Sequence, residues 1–204
     1  MSSLLEMLGG QLAGGGSAAI ARQLGVDQKQ AETAIGAALP TLLEALQRRA
    51  EQPETAAGLN KALENDHDGS LLDNLAGYLE RGEGGARAVA GDRILGHLLG
   101  ERQDRVANGI AGIAGLNATQ SMKLMAMLAP MLMGALGRRK REQNLGQGQL
   151  SDILRQENDA FRQGDSAQAS IFGRLLDQDG DGDFDAKDMM KLGASMIGRM
   201  FKRQ

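Results

Sequence analysis

"ALPTLLEALQRR" (38–49) and "LAPMLMGALGRR" (128–139) lie 90 residues apart and share a proline, an Ala-Leu pair and a closing Arg pair. The same offset places "LLEMLGG" (4–10) on "ILGHLLG" (94–100), and "AIARQLGVDQKQ" (19–30) on "GIAGIAGLNATQ" (109–120). Fourteen identities fall in register without a gap, among them Gly25/Gly115, Gln30/Gln120, Pro40/Pro130 and Arg49/Arg139. Self-similarity at a fixed offset marks a repeated structural unit. The expected fold is therefore all-α: a duplicated multihelical bundle over 1–160, with units at about 1–80 and 91–160.

Each unit has its own helix punctuation. Gly25 and Gly115 suit the left-handed position that ends a helix, and Asp27 and Asn117 suit the cap of the next. Helices are expected at about 28–38 and 118–128, each running into Pro40 or Pro130. Proline removes a backbone donor and disfavours α geometry before it, so a kink or a new helix start is expected there. Ser70 and Asp73 fit an S-x-x-D capping box ahead of Leu71, Leu72, Leu75 and Leu79. Where the first copy has Thr41, Glu44 and Gln47, the second has Met131, Gly134 and Gly137. The second helix is apolar nearly all round and should be the more buried, at the centre of the bundle.

Composition supports short helices separated by glycine and narrows the function classes. The 204-residue chain carries 29 Gly and 11 Met but no Cys, which excludes disulfides, thiolate metal sites and cysteine nucleophiles. A net charge of −3 gives no strong field for nucleic acid or an anionic membrane, and aromatics at 2% provide no stacking platform. The N-terminus has no positively charged n-region, so no signal peptide is read. The most apolar stretch, "MAMLAPMLMGAL" (125–136), is too short for a membrane span of about 20 residues. A cytoplasmic protein is the expectation. "GGQLAGGG" (9–16) lacks the Lys-Ser/Thr ending of a phosphate loop and reads as a turn between helices. "GRRKRE" (137–142) reads as a solvated helix end complementing the dipole, ahead of a patch for nucleic acid or an acidic partner. His67 and His97 have no metal-ligand spacing and read as structural or exposed. No nucleophile–base constellation is present, so a non-enzymatic protein is expected.

One motif does carry chemistry. "DQDGDGDFDAKD" (177–188) sets Asp177, Asp179 and Asp181 at positions 1, 3 and 5 of a twelve-residue loop. Gly182 stands at 6, Asp183 at 7, Asp185 at 9 and Asp188 at 12, the pattern of an EF-hand calcium loop. A hard Ca²⁺ ion takes about six to eight oxygens, which alternate side chains of a tight loop can turn inward. Asp183 would offer its backbone carbonyl, and Asp188 would close the site from the exit helix. Ile171, Phe172, Leu175 and Leu176 form an apolar face upstream, and Met189, Leu192, Met196 and Met200 form one downstream. The competing reading is a solvated acidic loop, which has no need of glycine at 6 or the apolar Phe184 at 8. Aspartate at 12 is shorter than the usual glutamate, so affinity should fall and Mg²⁺ should compete better. "DHDGS" (66–70) lacks the sixth-position glycine and reads as a turn and helix cap. EF-hands sit in pairs, and this chain has one good loop, so a homo-oligomer or a protein partner is expected. The leading reading is a calcium-responsive interaction module built on an EF-hand-like segment over 166–204. The alternative is a scaffold in which calcium only staples the tail.

"DHDGSLLDNLAG" (66–77), "GDRILGHLLG" (91–100) and "LMAMLAPMLMGALGR" (124–138) together resemble the YidB-like bacterial family over roughly residues 1–160. The resemblance implies an all-helical cytoplasmic protein, some of whose relatives carry a similar acidic tail. It implies no catalytic residues.

Overall fold

The computed structural model describes residues 4–80 and 86–162, and these are all-α, with no strand among them. The elements run α1 (Leu4–Gln11), a π-helical turn (Leu12–Gly16), α2 (Ser17–Leu24), α3 (Gln28–Glu51) and α4 (Pro53–Asn65). A 3₁₀ turn (Ser70–Asn74) leads into α5 (Leu75–Glu80). Then come α6 (Ala86–Leu99), a second 3₁₀ turn (Gly100–Arg102), α7 (Gln103–Ala114), α8 (Ala118–Glu142) and α9 (Gln147–Arg162). The described residues up to Asn158 form one compact unit. No helix among the described residues is long and apolar enough to cross a membrane.

α8 is the hub. It packs against α6, α7 and α3 most extensively, and also touches α1, α2, α4 and the 70–74 turn. Its apolar residues are buried on every face, with Met131, Leu132, Ala135 and Leu136 fully so. That is the outcome expected for a helix lacking a polar stripe. α3 keeps one partly exposed flank through Thr41, Glu44 and Gln47.

The helix ends follow the sequence closely. Gly25 (φ 67°) and Gly115 (φ 68°) close α2 and α7 in the left-handed region. Asp27 and Asn117 each accept a 2.8 Å hydrogen bond from the backbone N–H of Gln30 and Gln120. Both glutamines return the bond to the cap's own N–H, completing capping boxes. Each glutamine then reaches across: Gln30 Nε2 donates to the Gly115 carbonyl and Gln120 Nε2 to the Leu24 carbonyl, both at 3.1 Å. The two turns are thus bonded to each other.

Four local expectations are corrected. α3 and α8 do not restart at their prolines, the second of the two outcomes expected there; they continue for 24 and 25 residues with Pro40 and Pro130 inside. Proline at 130 leaves the Ala126 carbonyl without its i+4 donor. Gly91 of α6 lies against that oxygen so closely that a Cβ on it would be 2.1 Å away, the geometry of a Cα–H···O contact. The Tyr78 hydroxyl donates to the neighbouring Met127 carbonyl at 3.3 Å. Packing therefore satisfies what proline disrupts. The glycine-rich 9–16 stretch is not a turn: it is helical, and Leu12–Gly16 widens into a π-helical turn. Ser70 and Asp73 do not form a capping box either. Ser70 Oγ donates to Asp68 at 2.5 Å, while Asp73 pairs with Arg138. Finally, the helices are not all short, because α3 and α8 each bury one apolar surface that outruns the glycine punctuation.

Candidate functional site: the basic end of the central helix

The calcium-loop residues Asp177, Asp179, Asp181, Asp183, Asp185 and Asp188, with the helices expected on either side, lie outside the described residues. Among the described residues no group of three or more His, Asp or Glu side chains is placed to hold a metal ion. His97 is exposed on α6. The densest polar chemistry is elsewhere, at the C-terminal end of α8.

Four cations follow one another there, Arg138, Lys140 and Arg141 with Arg139 between them, and each step turns about 100° around the helix axis. Only a helix surrounded on several sides can pair them all. Arg138 donates to the Gly69 carbonyl at 2.8 Å and pairs with Asp73. Arg139 pairs with Glu157 of α9. Lys140 donates to Glu64 of α4 at 2.7 Å, and Arg141 lies 4.0 Å from Asp68. The run was expected to be a solvated helix end. Instead Lys140 is only 8% exposed, and Arg139 is held beside a carboxylate that is itself buried. Packing of α4, the 66–73 loop and α9 around the end of α8 shields Lys140 and the Arg139–Glu157 pair, while Arg141 stays exposed, as the solvated reading expects.

Glycine makes that packing possible. A Cβ on Gly137 would stand 1.8 Å from the His67 carbonyl oxygen. Gly69 adopts φ 84° and would collide with Arg138 Cβ at 2.7 Å. The loop is laid directly on the backbone of α8, which explains why position 137 carries glycine; at Gly134 the Gly69 backbone lies at ordinary contact distance. The "DHDGS" reading holds as a turn, in which Asp68 accepts from the Ser70 N–H at 3.0 Å; the cap half does not, since Gly69 stands at the cap position with no side-chain bond.

These contacts set the local titration. The Lys140 ammonium bonded to Glu64 holds that carboxyl below its ordinary value, with Asn60 adding a second donor. The Ser70 hydroxyl and N–H do the same for Asp68. His67 is half-buried, and desolvation holds its imidazole below the usual 6.5, a shift that Asp66 and Asp68 partly oppose.

Glu157 was missed in the sequence, although a signal exists. Leu150, Leu154, Glu157, Asn158 and Phe161 fall at i, i+4, i+7, i+8 and i+11, so a polar pair occupies the inward stripe of α9. Glu157 Oε2 accepts a 2.8 Å hydrogen bond from the Leu4 N–H, and Asn158 Nδ2 donates to Gln47 Oε1.

The arrangement is an interlock of four segments on one helix end. No curated protein and no solved structure matches the chain. A family model described as "Bacterial protein of unknown function (DUF937)" matches residues 6–139, from α1 to the Arg pair of α8. That span is well over half of the chain and lies within the stretch that resembles the YidB-like family. The chain belongs to this bacterial family, DUF937.

Proposed function

We propose that the protein is a non-enzymatic, cytoplasmic calcium-binding interaction module: a twice-repeated helical unit carrying an EF-hand-like segment at 166–204. The observation that carries the reading is the spacing of Asp177, Asp179, Asp181, Asp185 and Asp188 around Gly182. Hard-cation chemistry accounts for each of those places, and an unbound acidic loop accounts for none of them. The equal cap geometry at Gly25–Gln30 and Gly115–Gln120 supports the duplication. Calcium would order the helix after Asp188 for docking on a protein partner or a second copy of the chain. The second reading, calcium as a staple of the tail, differs in outcome.

Calorimetric titration of the full chain with Ca²⁺, paired with light scattering in calcium and in chelator, tests both. The module gives binding heat, lost in Asp177→Ala, together with a calcium-dependent change in assembly. Heat without any change in assembly favours the staple. No heat from the wild type removes the site.

A further inference from the structure

We propose that α1 and α9 are a single clasped strap that opens as one unit, with Glu157 as the residue that couples them. α1 is weak on its own: Gly9 and Gly10 lie in its interior, both facing open space, and it runs on into the glycine-rich π-helical turn. Its first-turn N–H groups have no partner within the helix. The Leu4 N–H finds one on α9, where Glu157 Oε2 accepts it at 2.8 Å. The carboxylate therefore caps α1 from 153 residues away along the chain and places negative charge at its positive end. The other oxygen of Glu157 pairs with Arg139 of α8, and the side chain is 6% exposed.

A carboxylate in that stripe position is a poor adhesive. Burying it costs desolvation, and replacing the whole Glu157–Arg139 pair by well-packed apolar side chains would hold α9 at least as well. What it supplies is register and a clean release, because the charges regain water when the clasp opens. α9 is anchored toward its start by the buried Leu150 and Leu154, and toward its end by Glu157 and the bond from Asn158 to Gln47. Loss of α9 uncaps α1, and loss of α1 leaves a buried carboxylate short of a donor. Mutual dependence of this kind makes two segments one cooperative unit. Opening uncovers Leu4 and Leu8, which are 1% and 0% exposed in the closed form.

Hydrogen exchange of the full chain in chelator tests the strap, read on peptides from α1, α9 and α3. Leu150→Ala perturbs α9 at its far end from the clasp. It should speed exchange in α1 and α9 by a common factor of about ten, leaving α3 unchanged. In a Glu157→Ala background the same change should speed α9 alone. Three results overturn the proposal: α1 unmoved by Leu150→Ala, α1 still responding once Glu157 is gone, or α3 accelerating equally. If Leu150→Ala does not fold, Leu150→Val gives the same comparison at smaller amplitude.

Discussion

Gly137 and Gly58 both sit inside helices, yet they carry opposite expectations for an added methyl group. At Gly137 the new Cβ would meet the His67 carbonyl at 1.8 Å, and backbone on both sides resists movement. Gly137→Ala should destabilise by about 3 kcal/mol, the upper part of the usual overpacking range. At Gly58 the Cβ meets nothing within 4 Å, so Gly58→Ala should stabilise α4 by about 0.5–1 kcal/mol. Denaturant melts of the two variants check the pair, and equal effects would contradict the docking of the 66–69 loop. His67, in that same loop, predicts a pH dependence. Its folded pKa lies below 6.5, so the unfolded chain takes up the proton first. Its contribution is intact above that value and declines as pH falls from about 7 towards 5. Glu64 and Asp68 have lowered values, so their contributions are lost only further into acid. Relative to His67→Gln, the wild type should lose stability across the upper window, and parallel curves would refute the assignment. The sequence showed glycine at 137 but not its reason, because the reason is the His67 carbonyl, 70 positions earlier in the chain.

At the scale of elements, the capping glutamines make a sharper case than the caps themselves. A glutamate at Gln120 would keep the capping box and add favourable charge at a helix start. If capping were its whole role, Gln120→Glu would be neutral or stabilising. The Nε2 bond to the Leu24 carbonyl predicts the reverse, since a carboxylate has no donor and meets an acceptor. A net loss of about 1 kcal/mol is expected, read as a lower urea midpoint at unchanged slope. An unchanged or raised midpoint would show that the bridge contributes nothing. The turns were legible in the sequence because cap chemistry is local: Gly25, Asp27, Gly115 and Asn117 each act within a few residues. The passage of α3 and α8 through Pro40 and Pro130 was not. Local rules place a break there; at Pro130 Gly91 approaches the freed Ala126 carbonyl, and at Pro40 the contacts among the described residues show no comparable partner.

For the whole molecule, the central position of α8 follows from one fact of composition: α8 lacks the polar stripe that Thr41, Glu44 and Gln47 give α3. The basic run at its end shows the limit of that kind of inference. Read in one dimension, "GRRKRE" is a cluster of like charge; in three, consecutive residues face different directions and each meets its own acid or carbonyl. Removing one partner should therefore hurt in proportion to burial. Glu157→Ala strands the Arg139 guanidinium and is expected to cost about 3 kcal/mol, whereas Asp152→Ala, at an exposed i,i+3 pair with Arg155, should cost no more than about 0.5. Thermal melts of the two variants give the comparison, and a similar loss in both would place Glu157 in water. By itself the sequence determined the helical class, the 90-residue internal offset, the cap positions and the acidic spacing at 177–188, since each depends on residues close together or on a repeated pattern. Only the tertiary structure decided which glycines are obligatory, where the four cations go and that a glutamate of α9 caps α1. Those depend on which distant segments share a few ångströms of space, and chain order does not encode that distance directly.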